Sequence, residues 1–78
     1  MNISKNEAAM RKAQKDKLIA AFRKTVSRLN AIEDRLYAGD LTAKENEELL
    51  TEYRNLSVRL VNLENELTTD FKVNTEYL

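Results

Sequence analysis

Leu36-Tyr37-Ala38-Gly39-Asp40-Leu41-Thr42-Ala43-Lys44-Glu45 holds the only glycine of a chain that has no proline. Gly39 takes a left-handed backbone without a Cβ penalty and so closes a helix. Thr42 follows as an N-cap, with Glu45 three residues on to complete a capping box. A helix stop followed at once by a helix start, between two long periodic segments, predicts an antiparallel two-helix hairpin.

Working outward, the first helix is expected over about 5–38, since no glycine or proline interrupts it. Ser4-Lys5-Asn6-Glu7 fits a second capping box at its start. Leu18, Ile19, Phe22, Val26, Leu29, Ile32, Leu36 and Tyr37 fall mostly on one stripe at helical spacing. The turn occupies 39–41 and the second helix runs over about 43–69. Its seam is Leu49, Tyr53, Leu56, Leu60, Leu63 and Leu67, a coiled-coil heptad pattern. Asn46 continues this seam one step earlier, at a place where solvent is the expected surrounding. Leu50 and Val61 lie off it as a second strip. Thr68, Thr69 and Asp70 are poor helix formers. In the tail, 70–78, Phe71, Val73, Thr75 and Tyr77 alternate with polar residues at a strand-like period. That tail reads as a frayed end packing an aromatic ring or two, or as an extended peptide for a partner's sheet.

The residues 1–69 therefore form one all-α, coiled-coil-like unit. Seventy-eight residues is near the size at which one core barely supports itself. Two helices with one apolar stripe each leave surface wet, and the usual solution is a bundle completed by self-association. Folding about Gly39 and Asp40 pairs positions whose numbers sum to about 78–80. Leu29 then meets Leu49, Val26 meets Tyr53, Phe22 meets Leu56, and Leu18 or Ile19 meets Leu60. Farther out, Leu63 meets Lys15, Leu67 meets Arg11 and Phe71 meets Ala8. On this register the second helix carries seam residues that the first cannot cover. Leu60, Leu63, Leu67 and Phe71, with the tail aromatic Tyr77, are accordingly the expected oligomer or partner interface. The overhanging basic turns Arg11, Lys12 and Lys15 form a basic patch beside it.

The formal net charge of zero hides a separation. Residues 1–39 carry nine bases and four acids, net +5, and residues 40–78 carry four bases and nine acids, net −5. Opposite helices attract and the wrong pairing is disfavoured. Exposed ion pairs contribute only about 0–1 kcal/mol each, so the pattern sets register and partner choice more than stability. A basic first helix also allows nucleic-acid binding by a hairpin dimer. Against that reading, Lys5, Lys12 and Arg23 lie on one side of the helix while Lys17, Lys24 and Arg28 lie on another. No aromatic side chain interleaves with the bases to stack on single strands.

Chemistry has little to work with. The chain lacks histidine and cysteine, which removes the usual general base, thiolate chemistry and the commonest metal ligands. A di-metal carboxylate bundle needs Glu-x-x-His motifs that this chain does not contain. One glycine makes no phosphate loop. No catalytic residue, cofactor or metal is therefore expected. No apolar run approaches the roughly 18 residues of a membrane span, and Met1-Asn2-Ile3-Ser4-Lys5 lacks the apolar stretch of a signal peptide. Cysteine-free composition suits the cytoplasm. Eight asparagines and many lysines have the flavour of AT-rich genomes, including those of many phages, whose products work in a host cytoplasm.

The link Ala38-Gly39-Asp40-Leu41-Thr42-Ala43-Lys44-Glu45 resembles the G-x-L-T-x-E turn of small bacterial and phage helical hairpins, including short C-terminal oligomerisation domains. The resemblance covers the link alone and implies a hairpin, with no function or residue carried over. The expected function is a non-enzymatic protein–protein interaction module, an adaptor, inhibitor or assembly factor, working as a homodimer or higher oligomer on another protein. The alternative is a hairpin dimer that binds RNA or DNA through its basic helix.

Overall fold

The computed structural model describes residues 5–78, and the expected Ser4 capping box lies outside the described residues. The fold is an all-α hairpin: α1 spans Lys5–Ala38, α2 spans Ala43–Asp70, and a short 3₁₀ turn covers Thr75–Tyr77. α1 stops where Gly39 turns to φ +74, a backbone that costs an L side chain roughly 1–2 kcal/mol. α2 starts with the reciprocal capping box: the Glu45 N–H donates to Thr42 Oγ1 at 3.1 Å and the Thr42 N–H to Glu45 Oε1 at 3.3 Å. Two of the orphan donors of the helix start are thereby satisfied.

The rod measures 58 × 20 × 16 Å, and its core is correspondingly thin. Leu29 and Ile32 are buried on α1 toward the link, and Phe22, Leu63 and Leu67 form a second buried cluster toward the open end. Leu18, Ile19, Ala21, Val26 and Leu60 pack against that cluster. Thr25 is buried with its hydroxyl donating to the Ala21 carbonyl at 2.7 Å, so its polar atom costs little inside.

The register differs from the one expected from Gly39 and Asp40. The helix ends Ala38 and Ala43 face each other across the link, so partners sum to about 81. Arg11 with Asp70 follows that rule, and Arg28 with Glu52 falls at the upper end of the expected range. The shift brings Leu63 level with Leu18 where Lys15 was expected, because Leu41 and Thr42 belong to the link and move its centre outward. Asn46 is exposed, as its place near the turn suggests.

The tail overturns the picture of uncovered seam residues. At the end of α2, Lys72 adopts φ 57 and the Val73 N–H donates back to the Leu67 carbonyl at 2.9 Å. The chain reverses and lies along the groove between the helices. Val73 and Leu78 pack onto the Phe22–Leu63–Leu67 cluster, and Thr75 donates to Glu64 Oε1 at 3.3 Å. Leu67 is 0 % exposed within the single chain.

Candidate interaction surface

The residues singled out from the sequence separate in three dimensions. Leu63 and Leu67, expected in a subunit interface, are interior residues of one chain. The correction follows from the register and from the returning tail, which together cover them. Leu60 packs at the edge of the same cluster. Phe71 is half-buried, with the Arg11 guanidinium 4.9 Å from its ring centroid. Arg11 also donates to the Asp70 carbonyl, so it ties off the C-terminus of α2, where a cation suits the helix dipole. Lys12 is exposed and Lys15 half-buried. Of the three bases, Arg11 closes the open end, Lys15 is partly packed and Lys12 faces water.

Tyr77 is 84 % exposed. The alternation in the tail holds through Phe71, Val73 and Thr75, all half-buried. It then fails, because Asn74 Oδ1 accepts from the Glu76 N–H at 3.0 Å and starts a 3₁₀ turn. A turn of about three residues puts Leu78, not Tyr77, on the side of Thr75.

Two unlike long sides result. The tail lies in one groove, where Leu78 and Thr75 line a cavity together with Phe22, Val26 and Asn30. It stops short of the link and leaves the rest of that groove open, lined by Glu33, Leu36, Tyr37, Leu50 and Tyr53. Tyr37, on the expected core stripe, is 94 % exposed there. Its position lies well round from Leu29 and Ile32 on the wheel. Tyr53 is half-buried with its hydroxyl donating to Glu33 Oε1 at 2.6 Å. That bond, with the carboxylate's negative charge, raises the Tyr53 pKa above its ordinary value. Leu50 and Val61, the second strip, are exposed, and Val58 joins them.

The opposite side has no tail. Its groove is lined by Ala21, Lys24, Thr25, Arg28, Leu56 and Arg59. Arg28 and Glu52 bridge it with two parallel bonds of 2.7 and 2.8 Å, the bidentate geometry that guanidinium and carboxylate favour. The hydrogen bond from Arg28 and then its charge lower the Glu52 pKa. Among the described residues no group of three or more acids is placed to hold a metal ion, and no helix is long and apolar enough to cross a membrane. No protein-family model, curated protein or solved structure matches the chain.

Proposed function

We propose that the chain is a small non-enzymatic protein–protein interaction module, of the adaptor, inhibitor or assembly-factor kind, that acts by occupying a surface on another protein. The observation that carries this reading is the open half-groove near the link. Tyr37 stands 94 % exposed on a rigid helix, beside Leu36, Leu50 and Tyr53. An aromatic anchor flanked by aliphatic side chains is the usual make-up of a binding hot spot. A large apolar side chain held out in water at a helix end does nothing for the fold. Phage origin and a cytoplasmic setting remain part of the proposal through composition alone.

Nucleic-acid binding has less support. Arg11 is committed to the end of α2, Arg28 is paired with Glu52, and the remaining bases are divided between sides of α1.

The test is affinity capture from cells of the source, comparing the native chain with a Tyr37→Ser, Leu50→Ser variant. Both positions are exposed, so circular dichroism of the variant should be unchanged. A protein retained by the native chain and lost by the variant supports the reading. Identical retained sets overturn it.

A further inference from the structure

The tail-free side of the rod carries two rows of opposite charge. On α1, Lys17, Lys24, Arg28 and Arg35 recur at intervals of seven, four and seven, so they share one stripe. Of the acids of α1, Glu33 bonds Tyr53 across the tail-side groove, Asp16 and Asp34 fall on the back, and Glu7 stands in the first turn. On α2 the flank facing the same way carries Glu45, Glu48, Glu52, Glu66 and Asp70, interrupted by Arg59. The rows do not neutralise one another within the chain. Arg28 and Glu52 meet, whereas Lys17, Lys24, Arg35, Glu48 and Glu66 have no ion-pair partner among the described residues.

We infer that this side is the self-association surface, and that its occupant is a second copy of the chain related by a two-fold axis parallel to the helices. Symmetry and charge select that arrangement. A two-fold along the rod keeps every residue at its own level and lays the basic row of each copy on the acidic row of the other, except at Lys24, which comes level with Arg59. Lys17 then meets Glu66 of the second copy, Arg35 meets Glu48, and the two Arg28–Glu52 bridges come together. A two-fold across the rod would lay base on base and acid on acid. The mixed charge of this side also argues against a polyanion, since a phosphate backbone would meet both rows. Space is sufficient: with extents of 58 × 20 × 16 Å, any long side exceeds the roughly 800 Å² per partner of a standard interface. Ala21, Thr25 and Leu56 floor the groove and let helices approach closely. The inference specifies one partner of the interaction module proposed above and rests on that reading.

The experiment is a mass measurement by sedimentation or light scattering on three proteins at low salt. The native chain is expected at twice its 9.0 kDa. A Lys17→Glu, Arg35→Glu variant sets acid against acid at the two proposed contacts, Lys17 with Glu66 and Arg35 with Glu48, and a Glu48→Lys, Glu66→Lys variant sets base against base there. Each is expected at the single-chain mass with native circular dichroism, and their equimolar mixture is expected to recover the doubled mass. Native dimer dissociation should also rise at least about tenfold from low to high salt, as screening of exposed charge requires. A native chain that stays single at millimolar concentration overturns the second-copy inference, and leaves the capture result at Tyr37 and Leu50 to judge the broader reading separately. Variants that keep the doubled mass, variants that stay single when mixed, or a dimer indifferent to salt overturn this surface. The salt series applies even where a variant loses its fold. A native single chain that shifts a labelled oligonucleotide would replace the inference by a polyanion.

Discussion

Gly39 and Lys72 end the two helices in the same way, each with a positive φ, of 74 and 57, yet only one is a glycine. The nearest outside atom to a Cβ built at Gly39 is the Tyr37 carbonyl oxygen at 4.0 Å, so an alanine has room and meets only backbone cost. Gly39→Ala is expected to destabilise by about 1–2 kcal/mol, measured by urea unfolding. Lys72→Gly should do the reverse and raise stability by about 0.5–1 kcal/mol. Thr42→Ala removes one arm of the capping box and should cost about 1 kcal/mol. The Arg28–Glu52 pair adds a pH dependence with a defined sign. Because Arg28 depresses the Glu52 pKa, the pair's stabilisation is full above the ordinary glutamate range, about 4.3, and fades as pH falls through the lower folded value. Glu52→Gln should flatten that part of an acid titration of stability followed by circular dichroism. Tyr53 has the opposite sense: its raised pKa gives a contribution present below the ordinary tyrosine value and lost as pH rises past the folded one. At this scale the sequence was transparent where glycine or a capping box stood, and opaque at Lys72, since lysine carries no signal for a left-handed backbone.

The elements differ in how their ends are held. α1 and the start of α2 are specified locally, by Gly39, Thr42 and Glu45, and they fall where the spacing of these residues puts them. The tail is specified by what it covers. Leu67, level with α1 but beyond the reach of a full second stripe, is sealed by Val73 and Leu78. Leu67→Ala should therefore cost about 2–5 kcal/mol, as for a buried leucine in a packed core, and should do so at any protein concentration. Removing residues 71–78 should lower the unfolding midpoint and expose the Phe22–Leu63–Leu67 cluster, seen as new binding of a hydrophobic dye. If the truncated chain melted like the full one, the tail would not be the cover described. The alternation of Phe71, Val73 and Thr75 was legible as a face. Its direction and its break at Tyr77 were not, because the 3₁₀ turn set by Asn74 changes the period from two to about three.

As a whole the molecule is a thin rod with a small buried core and two unlike sides, and its stability should depend on association. If the charged sides of two copies meet as inferred, the melting temperature rises with protein concentration. Lys24 offers a sharper check. On a two-fold along the rod it lies close to Arg59 of the second copy, a like-charge contact. Lys24→Glu is expected to strengthen self-association, measured as a lower dissociation constant at low salt, whereas any polyanion surface would be weakened by it. The sequence by itself determined the hairpin, the helix limits at the link, and the opposite charge of the two helices, because glycine conformation, capping and helical spacing act over a few residues. Tertiary structure alone decided the register, the burial of Leu63 and Leu67 in one chain, and which groove the tail closes. Those depend on where the link is centred and on apolar surface contributed by segments far apart in the chain, which no local pattern encodes.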